Sequence, residues 1–233
     1  MTTDSGRLPR PGFIRPRLVV DDVYDQLVVL IVDGHVAPED ALSIDALARE
    51  FGVSTSPVRE ALARLESTGL IRRVAMRGYR VAPALQAEEL RELMEARLLI
   101  EPGAAERAAT ADRHDATVAA LDQAVVDLAH APRGSSFASF RDYYEADRRF
   151  HHAVVEGTGN RFLLQSYEAL GGQFQRFRLF SGRGVTDADA TIAEHGTIRD
   201  AIAAGDAAAA AAAMTAHLHG VTTRSLSELA DVV

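Results

Sequence analysis

The 233-residue chain contains no cysteine, which excludes disulfides and thiolate-held metals and leaves histidine and carboxylate as the only strong ligands for a metal centre. Lysine is absent too. All 25 basic residues are arginine, a usage that matches GC-rich coding and points to no mechanism by itself. No apolar run approaches the roughly 20 residues that cross a bilayer, and Met1–Pro11 lacks a hydrophobic signal core, so the expectation is a cytoplasmic protein with no membrane partner. With 47% hydrophobic residues, each of two ordinary domains can bury a core.

The formal charge of −8 argues against a nucleic-acid binder until it is divided. Residues 1–84 carry 11 arginines and 11 acids, whereas residues 85–233 carry 14 against 22 and hold all of the excess. Within 49–80 there are seven arginines and three acids. A locally basic module beside an acidic remainder suits a protein that meets DNA with one domain only.

That basic module is organised around Val53–Leu70. Ser54 or Ser56 can cap a helix, Pro57 fits its first position, and Gly69 fits the left-handed stop. Val58, Ala61, Leu62 and Leu65 form a stripe at helical spacing, which is the core face. The opposite face carries Ser54, Thr55, Ser56, Arg59 and Arg64, a set able to meet phosphates and base edges, although an ordinary solvated face would look the same. Upstream, Leu42–Gly52 reads as a short helix closed by a glycine, with Arg49 near its end. Downstream, 70–74 and 78–82 read as a hairpin about Ala75-Met76-Arg77, which sets Arg72, Arg73, Arg77 and Gly78 beside the helix. Together these make a winged helix-turn-helix.

Residues 21–82 resemble the DNA-binding domain of GntR-type bacterial transcription regulators. The resemblance lies in Val23-Tyr24-Asp25-Gln26-Leu27, Leu47-Ala48-Arg49-Glu50-Phe51-Gly52-Val53-Ser54, Pro57-Val58-Arg59-Glu60-Ala61-Leu62-Ala63-Arg64-Leu65 and Gly69-Leu70. Thr55 stands where the family usually has arginine, which removes one guanine-reading side chain, and Pro38-Glu39-Asp40 replaces a Pro-Gly turn.

The domains expected are a flexible basic arm at 1–20, the winged module at 21–84 and a second domain at 85–233. The arm, with Arg7, Arg10, Arg15 and Arg17 among prolines, either follows a DNA groove or is a tail without contacts. The first helix is expected at 21–33. Beyond residue 84 every segment reads as helix: 86–110 with a possible kink at Pro102, 113–130, 136–156, 160–180, 187–204 and 206–230, with breaks that include Ser181–Gly184. The alanine run at 207–213 continues this pattern, since alanine is the strongest helix former. The fold class is therefore mainly α, a winged helix-turn-helix followed by an antiparallel helical bundle.

In the bundle, Asp147 and His151 stand four residues apart, one turn apart on one helix face, which is metal-ligand spacing. His195 and His217 lie on two later helices among apolar neighbours. If the four converge they offer three nitrogens and one oxygen, a set suited to Zn²⁺, Ni²⁺ or Mn²⁺; separately satisfied histidines are the alternative. Residues 88–228 resemble the FCD ligand-binding domain of the FadR-type branch of the GntR family. The resemblance implies a divalent metal held by Asp147, His151, His195 and His217. It also implies an effector site at Arg97, whose guanidinium suits a carboxylic acid; a surface ion pair between Arg97 and Glu101 is the alternative. His35, His114, His130, His152 and His219 match nothing in that pattern and read as structural or solvated.

The sequence thus describes an effector-responsive regulator, a repressor rather than an enzyme, that binds a near-palindromic double-stranded DNA operator as a homodimer. Two alternatives stay open at this point: a metalloenzyme domain fused to a DNA-binding module, and a constitutive DNA-binding protein with a structural metal.

Overall fold

Amphipathic spacing becomes helix nearly everywhere in the computed structural model, which describes residues 19–83, 86–134, 136–180 and 185–230, with 171–180 as backbone alone. The winged module runs α1 (Val19–Val32), β1 (Ala41–Leu42), α2 (Ile44–Glu50), α3 (Thr55–Ser67), β2 (Ile71–Val74) and β3 (Gly78–Val81). The bundle follows as α4 (Ala87–Ala108), α5 (His114–His130), α6 (Phe137–Gly157), α7 (Arg161–Phe180), α8 (Ala188–Ala203) and α9 (Ala207–Ala230). Among the described residues no helix is long and apolar enough to cross a membrane.

In the winged module, Val58, Ala61, Leu62 and Leu65 are buried as their spacing requires, against Val23, Leu27 and Ile31 of α1. The three strands order as β1-β3-β2, with Arg72 opposite Arg80 and Val74 opposite Gly78. The wing turns tightly at Met76 and Gly78, whose φ values of 62° and 75° lie in the left-handed region. Glycine tolerates that region and methionine does so at a cost, but Met76 is fully exposed and crowds nothing.

In the bundle, α4 lies along α9, α5 along α6 and α8 along α9. Leu90, Met94, Leu121, Phe150, Ile198, Met214 and Leu218 fill the space between them.

Three expectations need correcting. Strand β1 was not foreseen, because two residues leave no periodicity to read. Helix α3 begins at Thr55 with Ser54 at the N-cap, so Pro57 is the third helical residue, and Ser54 makes no side-chain cap bond. A capping oxygen accepts from the second or third helical N–H, and Pro57 has none to give. Finally, α6 does not belong to the bundle alone: Phe137, Phe140 and Tyr144 complete the core of the winged module. The basic arm, the boundary at residue 84 and the break at Ser181–Gly184 lie outside the described residues.

Candidate functional site

Three helices bring the predicted metal residues together. Asp147 and His151 face inward from α6, His195 from α8 and His217 from α9, and all four are buried. The three histidines can each offer one ring nitrogen such that all lie within 4.8 Å of one another. Asp147 Oδ1 stands 4.0 Å from Nε2 of His151 and 3.7 Å from Nε2 of His195. Phe150 stacks on the His195 ring at 3.9 Å and 5°, which fixes the plane of that imidazole. The other described histidines look elsewhere: His114 to the Ile202 carbonyl, His130 to that of Val126, His152 to Glu168.

Two carboxylates orient the histidines from behind. Glu101 of α4 meets Nδ1 of His151 at 2.7 Å, and Glu194 of α8 meets Nδ1 of His217 at 2.7 Å. An ionised carboxylate only accepts, so each Nδ1 carries a proton and Nε2 is the nitrogen left to offer a metal. Each carboxylate is in turn gripped by a guanidinium. Arg97 donates from Nε and Nη2 to Glu101, at 2.5 and 3.2 Å, and Arg224 donates from Nη1 and Nη2 to Glu194, at 2.8 and 2.9 Å. The site therefore has two parallel arms, Arg97–Glu101–His151 and Arg224–Glu194–His217.

The titration behaviour follows. Burial works to raise the Glu101 carboxyl, yet Arg97 and His151 outweigh it and hold the group well below the usual carboxylate range. Burial opposes ionisation of Glu194 as well, but His217 and Arg224 hold it down to about 2. Burial pushes the His217 imidazole down to about 4, against the pull of Glu194. Neutral imidazole is the form that binds metal. Tyr167 of α7 is buried close to Glu101, Arg97 and Asp147, and burial first, then the two carboxylates, raises its phenol well above the usual range.

Arg97 is thus a buried partner of Glu101 rather than half of a surface pair, because the i,i+4 face that both share points into the bundle. The sequence reading missed the parts of Glu194 and Arg224. Their signal was present in the spacing: Arg224 follows His217 by seven residues, two turns along one face, and Glu194 on the neighbouring helix lies between them.

On the winged module, Arg49, Ser54, Thr55, Ser56, Arg59, Arg64, Arg72, Arg73, Arg77 and Gly78 are all exposed. Two of these arginines already hold intramolecular partners. Arg64 reaches Asp21 at 2.7 Å and lies over the Tyr24 ring, and Arg72 reaches Glu39 at 2.6 Å.

Comparison with known proteins agrees with both halves. The model for bacterial regulatory proteins of the gntR family matches residues 19–81, and that for the FCD domain matches residues 92–220. The HTH-type transcriptional regulator LutR of Bacillus subtilis is 31% identical, over 82% of this chain and 94% of its own. The HTH-type transcriptional repressor GlaR of Escherichia coli is 29% identical, over 84% and 91%. In three dimensions the chain superposes on E. coli McbR/YncC with a TM-score of 0.67 at 19% identity, covering 90% of this chain and 98% of that one. These relatives are transcription regulators and not enzymes, which removes the metalloenzyme alternative. The chain belongs to the GntR family of bacterial transcription regulators, with a winged helix-turn-helix domain followed by an FCD domain.

Proposed function

We propose that this regulator is a cytoplasmic homodimeric repressor whose bundle holds one divalent metal ion and a small carboxylic acid effector. The observation that carries the reading is the convergence of three oriented imidazoles and one carboxylate in a buried space, each of two imidazoles backed by its own carboxylate and guanidinium. The donor set of nitrogen and oxygen fits Zn²⁺, Ni²⁺ or Mn²⁺. Asp147, His151, His195 and His217 would hold the ion, which when bound supplies a positive centre with room for a further oxygen ligand. Arg97 is a guanidinium beside that centre, its Nη2 3.4 Å from Nδ1 of His151. It serves the effector by keeping Glu101 ionised and by adding positive potential where the carboxylate arrives.

On the DNA side, α3 enters the major groove. Ser54, Thr55, Ser56 and Arg59 face base edges, Arg49, Arg73, Arg77 and the Gly78 backbone face phosphates, and Arg64 and Arg72 join them after giving up Asp21 and Glu39. Two copies read successive grooves of a near-palindromic operator.

The test is elemental analysis and operator binding of protein purified without chelator. Wild type should carry about one metal per chain, and His195→Ala should carry none, melt lower, bind the operator with the affinity of metal-free wild type and lose the response to carboxylic acids. Wild type that takes up no Zn²⁺, Ni²⁺ or Mn²⁺ refutes the metal centre. Metal uptake with no acid response leaves a structural ion and a constitutive DNA binder.

A further inference from the structure

Helix α6 is built into both halves of the molecule. Phe137, Phe140 and Tyr144 at its start are buried in the winged core, and Phe150, Ala153, Val154 and Val155 near its end are buried in the bundle core. Asp147 stands between them, and His151, one turn further on, follows Phe150. Phe140 and Asp147 are seven residues apart, so they share one face at a separation of about 10 Å along a stiff rod.

Polar contacts fix the start of α6 to α1 in one orientation. Arg141 donates twice to Asp25, Nη1 to Oδ2 at 2.9 Å and Nη2 to Oδ1 at 2.7 Å. Asp33 accepts the N–H of Phe137, the first residue of α6, at 2.8 Å, which places a carboxylate on the positive end of the helix. A bidentate pair forms over a narrow range of angles, so these contacts specify orientation where the apolar patch alone would permit sliding. Beside them a cleft of about 600 Å³ separates α1 and the end of α3 from α6, lined by Tyr24, Arg64, Ser67, Arg141, Glu145 and Arg148. The charged groups in it are already matched with one another, Arg64 with Asp21, Arg141 with Asp25 and Arg148 with Glu145.

We infer that Asp25, Asp33 and Arg141 form an interdomain latch, and that α6 carries the state of the metal centre to it as a rigid lever. The inference rests on the proposed metal centre for its trigger, while the latch stands on the contacts just given. An ion held by Asp147 and His151 of α6 with His195 and His217 would tie α6 to α8 and α9, and any shift of α6 would carry Phe140 and Arg141 against α1 and so alter the angle at which α3 is offered to DNA.

The absence of cysteine makes the test direct. Spin labels at Ala63→Cys on α3 and Glu106→Cys on α4, in chains diluted with unlabelled protein, report the interdomain distance. Wild type should give one narrow distribution, and Arg141→Gln or Asp25→Asn a broad or displaced one, with or without metal. In parallel, operator affinity is measured on chelator-treated and Zn²⁺-loaded protein. The two wild-type values should differ at least fivefold, the lower range of allosteric coupling. The difference should shrink below twofold in either variant and return in the exchanged pair Asp25→Arg with Arg141→Asp. An unchanged distance distribution in both single variants overturns the latch. A wild type that binds Zn²⁺ with unchanged operator affinity, or variants that keep the full difference, overturn the lever. Failure to bind Zn²⁺ at all overturns the lever along with the metal centre, and the distances still decide the latch.

Discussion

The arm built on Glu101 makes a prediction in which a second damaging substitution repairs the first. Glu101 is fully buried and accepts from both Arg97 and His151. Glu101→Leu therefore strands a buried guanidinium, at a cost of about 3–5 kcal/mol, and orphans the His151 N–H, at about 1–3 kcal/mol. Adding Arg97→Met removes the charge that has lost its carboxylate and leaves two apolar side chains of similar reach. The double variant should then be more stable than Glu101→Leu by about 3 kcal/mol and less stable than wild type by only the cost of the orphaned imidazole. The assay is urea unfolding in chelator, so that metal binding does not contribute, followed by far-UV circular dichroism because the chain has no tryptophan. A double variant no more stable than Glu101→Leu would show that the pair is not the buried, mutually dependent unit described here.

Two further outcomes follow from the same geometry. His217 is buried with its folded value pushed down to about 4 from an unfolded 6.5, so between these the unfolded chain binds the extra proton and stability falls as the pH falls. The loss is about 3 kcal/mol across that window, absent above it and complete below it, with Glu194 adding to it as the pH drops further toward 2. Urea midpoints of chelated wild type and His217→Gln over pH 7.5 to 4 check this, and equal slopes would refute it. Arg59 projects from α3 opposite the buried stripe, so Arg59→Ala should lose at least tenfold in operator affinity, about 1.4 kcal/mol, as read by fluorescence anisotropy. Wild-type binding by that variant would mean that another element reads the groove.

The sequence made the helices and the ligand set legible for a common reason, which is that both are written in spacings of three and four. Val58, Ala61, Leu62 and Leu65 declare a buried face without any knowledge of their partner, and Asp147 with His151 declares a shared one. The resemblance to FCD domains added the distant members, His195 and His217, which no local spacing connects. What stayed hidden is what depends on pairing between elements. Glu194 adjoins His195 and so points about 100° away from that ligand on the helix, toward His217 of the next helix. Arg97 and Glu101 were legible as neighbours, but whether their face met solvent or the bundle interior was a tertiary fact. The two-residue β1 and the invasion of the winged core by Phe137 and Phe140 were hidden likewise, since an aromatic at helical spacing says that something covers it and not what does.

The electrostatics of the centre bear on the kind of effector. Asp147, Glu101 and Glu194 set three carboxylates beside the three imidazoles, and Arg97 and Arg224 return two positive charges, but Arg224 also donates to Asp187. With that fourth carboxylate counted, the side chains hold two negative charges in excess, which the divalent ion proposed above would balance. Uncompensated charge is costly in proportion to its burial, and this centre is walled by Phe150, Met214 and Leu218. An effector carboxylate arriving after the ion would add a negative charge of its own, and Arg97, 3.4 Å from His151, is a guanidinium placed to offset it.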